Sequence, residues 1–179
     1  MMDKLHAQQI MANLAMGGMH ELNYMEFVNE RYYGKVYSKG RPRFSGNHAF
    51  TPENTRKFEA EVTDWLEGLG VGGILCPVAV RITLYDRIPK TARAADKLLM
   101  KAGLVTSTVG DLDNRAKSIL DAMNGTLLED DKQVAKLSIS RRYDYDEGFR
   151  LVVSRAGYSV VELDMLRAAY NVRPNKRRS

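Results

Sequence analysis

The chain has 179 residues, 44% of them hydrophobic, which suits one globular domain and excludes a wholly disordered protein. Its single cysteine, Cys76, excludes a disulfide framework and a Cys-rich zinc site, and favours a reducing, cytoplasmic compartment. The formal net charge of +5 suggests a polyanionic partner, and no apolar run is long enough for a membrane span.

The hydrophobic pattern predicts helices and strands mixed along the chain. Residues 3–16 favour a short helix and residues 22–37 an extended segment. Thr51 as N-cap and Pro52 at the first helical position predict a helix that ends at the glycines after residue 67. The remaining predicted elements are strands over 78–85, 136–140 and 149–153, and helices over 91–102, 113–123 and 159–170. These elements predict the α/β (α+β) class, as a single domain with a mixed β-sheet packed with helices.

Basic charge is concentrated near the start and at the end of the chain. Residues 31–43 carry five lysines and arginines without an acid, and three tyrosines lie among them. Such a mixture suits a phosphate backbone with bases or sugars alongside, although an edge strand kept soluble by basic side chains has the same composition. A second basic cluster over 173–178 is typical of a solvated terminus.

Acidic residues are concentrated in the middle of the chain, on both sides of one predicted helix. Asp111 and Asp113 precede it, and Asp130 and Asp131 follow its far end. Together, such carboxylates could provide the hard oxygen ligands that Mg²⁺ or Mn²⁺ requires, and the metal would activate a water for phosphodiester hydrolysis. Lys117, four residues after Asp113, lies on the same helical face and could stabilise a transition state.

Each of these residues also has a purely structural interpretation. Asp111 or Asp113 is a good helix N-cap, and Asp113 with Lys117 fits an ordinary i,i+4 ion pair. Asp130 and Asp131 could simply start a turn. The spacing alone therefore leaves the metal site and the structural roles open.

Three segments follow one another in a distinctive order: residues 33–44 (YGKVYSKGRPRF), residues 111–125 (containing DLDNRAK and LDAMNG) and residues 130–134 (DDKQV). In this order they resemble the RusA family of Holliday junction resolvases, which is common in phages and prophages. The resemblance covers about Glu30 to Val153, and Ser38 stands where the family often has proline.

The resemblance implies a Mg²⁺-dependent endonuclease, with Mn²⁺ as a possible substitute, that acts as a homodimer. Its substrate would be a four-way DNA junction, nicked symmetrically on two strands during recombination and repair. By position, Asp111, Asp113 and Asp131 would be the metal-binding catalytic acids, Asp130 a further metal-binding acid and Lys117 the catalytic lysine. The DNA-facing residues would be Lys39, Arg41 and Arg43. Arg142 is added to them because of its charge and because it shares a predicted strand face with Lys136.

The predicted organisation has three parts, and two other functions stay open. Residues 1–23 form an N-terminal extension, 24–157 the RusA-like nuclease domain and 158–179 a C-terminal helix with a basic tail. No membrane and no organic cofactor are expected. The alternatives are a nuclease acting on forks or flaps, and a branched-DNA-binding protein of the same fold that does not cut.

Overall fold

The structure is a computed structural model that describes residues 2–17, 25–39, 43–45, 48–50 and 52–171, with the backbone alone at 43–45, 48–50 and 171. The helices are α1 (Lys4–Ala15), α2 (Glu53–Gly68), α3 (Ala94–Lys101), α4 (Leu112–Met123) and α5 (Val160–Asn171). The strands are β1 (Glu26–Tyr33), β2 (Arg43–Ser45), β3 (His48–Phe50), β4 (Val78–Arg87), β5 (Val134–Asp144) and β6 (Gly148–Arg155). No described helix is both long and apolar enough to cross a membrane.

Four strands form one mixed sheet in the order β1-β6-β4-β5. β5 runs parallel to β4, whereas β6 is antiparallel to both β4 and β1. β2 and β3 form a separate two-stranded hairpin. The sheet and its helices confirm the predicted α/β (α+β) class in a single domain.

The core lies between one face of this sheet and helices α2 and α4. Alternate residues of β4 from Val78 to Leu84 are buried, as the period of a strand requires. They pack in one cluster with Phe58 of α2 and Ile119 of α4, both at most 1% exposed. Each such side chain contributes about 1.5–3 kcal/mol by leaving water, so the core holds α4 firmly in place.

Helix α2 begins one residue later than the sequence predicts. Pro52 occupies the N-cap position with an extended ψ of 140°, and Glu53 is the first helical residue. The assignment of Pro52 to the first helical position was therefore wrong, and Thr51 lies outside the described residues. The end of the helix is as predicted, with Gly70 in the left-handed region at φ +66°.

Helix α3 and the edge strand β5 leave apolar side chains in solvent. None of the residues of α3 is buried, and Leu98 and Leu99 are 69% and 42% exposed. Leu137 of β5 is 43% exposed. The reason is the position of β5 at the edge of the sheet, with no described strand beyond it.

The first and last described helices pack together in a second, smaller cluster. Ala7 and Ile10 of α1 pack with Leu166 of α5, and all three are buried. An ion pair between Arg155 and Glu162 ties α5 to the end of β6. The predicted division of the chain at residues 23 and 157 stays a prediction.

Candidate active site

Two of the predicted acids lie at the N-terminus of α4. Asp111 directly precedes the helix in extended backbone, with φ −79° and ψ 125°, and Asp113 lies in its first turn. Burial of Ala116 and Ile119 on the opposite side fixes the orientation of the helix. As a result, Asp111, Asp113 and Lys117 are all exposed at the same end of α4.

The structural alternatives for these residues are not what the fold uses. The Asp111 side chain makes no hydrogen bond to the first-turn N–H groups and instead accepts one from Asn114 Nδ2 at 3.1 Å. Asp113 lies inside the helix, so it is not the cap. Among the described ion pairs there is none between Asp113 and Lys117. Both side chains lie at the positive end of the α4 dipole, which attracts anionic groups.

A buried ion pair holds this end of α4 against the sheet. Arg115 Nη1 lies 2.7 Å from Asp86 Oδ1 near the end of β4, and both side chains are about 5% exposed. The same guanidinium donates to the Val109 carbonyl at 3.1 Å, and Ser107 Oγ donates to Asp86. The loop before Asp111 is therefore anchored by charge-assisted hydrogen bonds.

Sequence reasoning missed this pair, although one signal for it was present. Asp86 continues the buried alternation of Val78 to Leu84, which places a carboxylate on the core face of β4. A buried carboxylate requires a partner, because an unpaired buried charge is very costly. Arg115, inside the acidic motif, is the cation that supplies it.

Strand β5 contributes a second anchor for the same loop. Arg141 donates to the Gly110 carbonyl at 3.1 Å and reaches the Val109 carbonyl at 3.4 Å. Gly110 has a φ of +63°, a conformation that glycine adopts without the strain of a side chain. The C-terminal half of β5 thus lies next to Asp111.

Asp130 and Asp131 lie at the other end of the sheet. Val134, which follows them, pairs with Val78 at the start of β4, whereas Asp86 near the end of β4 contacts α4. The strand between those points spans about 26 Å. Across the described residues, no three His, Cys, Asp or Glu side chains are grouped so that they could hold one metal ion. A single chain therefore does not bring the four predicted acids together.

Asp130 has the turn role that the sequence left open. Its carboxylate accepts a hydrogen bond from the Lys132 N–H at 2.9 Å, and Gln133 Oε1 accepts from the Asp130 N–H at 3.2 Å. This reciprocal arrangement is a capping box. The backbone hydrogen bond from Lys132, followed by that of its side chain, lowers the pKa of Asp130. Asp131 is exposed beside it.

Lys39 makes two contacts that hold the basic segment, residues 35–39, against α4. Its N–H donates to the Asn114 carbonyl at 2.9 Å, and its ammonium forms an ion pair with Asp121, an acid whose role the sequence did not reveal. Nearby, burial raises the pKa of Glu59, an effect that the charge of Lys39 opposes and that of Asp121 supports. The segment 35–39 is therefore fixed alongside the helix that carries Asp113 and Lys117.

The other predicted DNA-facing residues are distributed differently. Arg41 and the side chain of Arg43 lie outside the described residues. Arg142 is exposed, and it shares a strand face with Lys136 as predicted, because their partners Tyr85 and Ala79 lie on one face of β4. That face is opposite to the one covered by α2 and α4.

Comparison with known proteins shows the family of the chain. The chain is 28% identical over 137 residues to the uncharacterized protein YqaN of Bacillus subtilis (strain 168), which covers 72% of this chain and 96% of that protein. The family model for endodeoxyribonuclease RusA matches residues 34–154, which is about two thirds of the chain and includes α4, β5 and the candidate acids. The chain belongs to the RusA endodeoxyribonuclease family.

Proposed function

We propose that this protein is a divalent-metal-dependent endonuclease that resolves four-way DNA junctions by paired, symmetric nicks during recombination and repair. The observation that carries the proposal is the N-terminus of α4. Asp111, Asp113 and Lys117 are exposed there without a capping bond or a mutual ion pair, next to a basic segment docked by Lys39. Family membership supports DNA as the substrate of this arrangement.

The residues at this end of α4 suit Mg²⁺, with Mn²⁺ as a substitute. Mg²⁺ is usually held by one or two carboxylates together with substrate phosphate and water, and Asp111 and Asp113 can provide the carboxylates. Such an ion would supply activation of a water and neutralisation of phosphate charge. Lys117 is one turn further along the same face, where its ammonium would stabilise charge on the transferring phosphate.

We further propose that a second copy of the chain brings Asp131 to this site. β5 is an edge strand of eleven residues with unpaired backbone groups on its outer side, a surface suited to pairing with another strand. Antiparallel pairing of two β5 strands would set the start of one beside the end of the other. The start carries Asp131, and the end carries Arg141, which binds the loop before Asp111.

Exposed apolar side chains support this homodimer. Leu137 on β5 and Leu98 and Leu99 on α3 are between 42% and 69% exposed, and no described element of the chain covers them. Exposed apolar side chains on an edge strand and on the helix that contacts this strand suit a protein interface. Antiparallel pairing places a two-fold axis perpendicular to β5, so the same surface of each copy would contribute to the interface.

The test is cleavage of a labelled synthetic four-way junction, with linear duplex, fork and flap substrates as controls, in Mg²⁺ or EDTA. We expect metal-dependent nicks at symmetric positions on two strands of the junction. Preferential cutting of forks or flaps would show that these, rather than four-way junctions, are the substrate of the nuclease. Tight junction binding without cutting in Mg²⁺ or Mn²⁺ would overturn the nuclease proposal in favour of a binding protein.

A further inference from the structure

The face of the sheet that α2 and α4 do not cover is strongly basic. In strand register, its side chains form four rows that run across β1, β6, β4 and β5. The rows are Glu26–Ser154–Ala79–Lys136, Asn29–Val152–Arg81–Ser138, Arg31–Arg150–Thr83–Ser140 and Tyr33–Gly148–Tyr85–Arg142. Every row contains at least one lysine or arginine, so positive charge extends over the whole face.

Three of these cations lie on one diagonal. Lys136, Arg81 and Arg150 are each one row and one strand apart, a step of about 8 Å from the spacing of strands and residues. The same diagonal ends at Tyr33, a residue that is 66% exposed. The result is a line of cations with an aromatic side chain at its end.

The carboxylates of this face leave the diagonal unneutralised. Asp144 is held by ion pairs with Arg31 and Lys101, and Glu26 accepts a hydrogen bond from the Asn29 amide at the far edge. Arg150 donates to the Asn29 side-chain oxygen at 2.6 and 2.8 Å, which leaves its charge uncompensated. Among the described ion pairs, none involves Arg81, Lys136 or Arg150.

The space between these side chains is also suited to a phosphate group. A shallow cavity of about 200 Å³ is lined by Arg81 and Lys136 together with the hydroxyl-bearing residues Ser138 and Ser154. Two cations and hydroxyl donors, without a carboxylate, are the groups that contact phosphate oxygens in protein–DNA complexes. A sheet face left in solvent gives such contacts a broad platform.

We infer that this open face of the sheet binds the sugar–phosphate backbone of a DNA arm, as a second DNA surface separate from the α4 site. The inference rests on the proposed function. It identifies where the protein would bind an arm of the four-way junction that is not being cut. Phosphate oxygens would follow the Lys136–Arg81–Arg150 diagonal, and Tyr33 would contact a sugar or base at its end. Because these contacts are to the backbone, they would hold the arm without reading its sequence.

The test compares two double variants of the full chain. Arg81→Gln with Arg150→Gln removes two charges from the diagonal on the central strands, away from the β5 edge. Arg56→Gln with Lys57→Gln removes two exposed charges from α2 and serves as the matched control. Junction affinity is measured by fluorescence anisotropy in Ca²⁺ at several salt concentrations, and nicking in Mg²⁺ at saturating enzyme.

We expect the diagonal variant to bind roughly tenfold or more weakly, with a salt slope lower by about 1 to 2, since each lost phosphate contact removes about 0.9. The control should change neither quantity beyond the general effect of net charge. The nicking rate at saturation should stay near that of the unaltered protein, because no α4 residue has changed.

Equal affinities and salt slopes for the two variants would overturn the inference. If sedimentation showed that the diagonal variant no longer forms a dimer, the inference would also be overturned, because the open face would then be a protein interface. If the unaltered protein never nicks junctions but the diagonal variant still loses affinity, the nuclease proposal fails and the DNA surface stands. If the unaltered protein nicks junctions and the two variants bind them with equal affinity, the nuclease proposal stands and only the second DNA surface is excluded.

Discussion

Arg115 and Asp86 join the first turn of α4 to the end of β4 through an ion pair of 2.7 Å that is almost completely buried. One of them belongs to the acidic motif and the other to a core strand. The pair therefore couples the packing of the sheet to the position of Asp111, which follows the loop that the same arginine holds.

Breaking this pair should destabilise the protein strongly. Arg115→Met leaves the Asp86 carboxylate buried without its cation, and we expect a loss of about 3–5 kcal/mol in the free energy of unfolding, measured with urea. Asp86→Leu combined with Arg115→Met should recover much of that loss, because no buried charge remains. Arg167→Ala, which breaks the exposed pair with Asp164, should cost less than about 1 kcal/mol. A similarly small cost for Arg115→Met would contradict the role given to the pair.

Neutralising the acids of α4 should separate cutting from binding. Asp111→Asn and Asp113→Asn should each lower the nicking rate by at least about 100-fold, the scale on which a lost electrostatic contact in an active site acts. Junction affinity should be unchanged or higher, because a negative charge that faces phosphate is removed. Since the Asp111 side chain makes no capping hydrogen bond, Asp111→Asn should change stability by no more than about 0.5 kcal/mol.

Asp164→Asn, which alters an exposed acid on α5, is the matched control and should cut normally. If Asp113→Asn cuts at the rate of the unaltered protein, the assignment of the acids is wrong.

Mixing two inactive variants should restore activity if the site is shared between copies. In a heterodimer of Asp113→Asn and Asp131→Asn chains, one site receives both substitutions and the other receives neither. We therefore expect one nick per junction from the mixture, and none from either variant alone. The measurement is nicking after unfolding and refolding the chains together, with refolded single variants as controls. An inactive mixture whose heterodimer is confirmed by mass spectrometry would assign each site to one chain.

The attachment of α5 should weaken in acid. Hydrogen bonding to Arg155 and to Ser159, opposed by burial, lowers the pKa of Glu162 from 4.5 to about 2. A carboxyl with a lowered pKa in the folded state stabilises it fully above the unfolded pKa and loses that contribution as pH falls through the folded pKa. The stabilisation from Glu162 should thus be present above about pH 4.5 and disappear towards pH 2.

Urea unfolding of the unaltered protein and of Glu162→Gln between pH 2 and pH 7 checks this. The difference between their free energies of unfolding should be constant above pH 5 and shrink to nearly zero at pH 2. Glu67→Gln, at an exposed position on α2, should show a small difference throughout. If the difference between the two free energies of unfolding did not change with pH, the charge of Glu162 would not contribute to the stability of the folded protein.

Local sequence patterns predicted the elements of the fold, but the assembly of the site depends on distant contacts. The alternation in β4 and the spacing of Ile119 and Met123 in α4 identified a strand and a helix, because burial of one face imposes those periods. The distance from Asp111 and Asp113 to Asp130 and Asp131 could not be predicted from local patterns. It follows from the parallel pairing of β4 and β5, and the Asp86–Arg115 pair holds the start of α4 at the end of β4.

The resemblance to a family identified candidate residues by their position in the motifs, but it could not predict which side chains contact them. Lys39 illustrates the difference, since the sequence shows a cation in a basic segment and the structure shows its ion pair with Asp121. The exposed leucines of α3 illustrate it as well. Residues 91–102 are predicted as a helix, but only the structure shows that Leu98 and Leu99 meet solvent and that β5 is an edge strand.

The parallel pairing of β4 and β5 has a consequence for how the candidate site can vary. Two parallel neighbours require a crossover, and here the crossover carries α3, α4 and every candidate acid. Within it, α4 acts as a rigid spacer that separates Asp111 from Asp131 by about 1.5 Å for each helical residue. A relative with one more turn in α4 would present its acids to DNA at a different separation. One with a longer loop before Gly110 would keep the separation unchanged.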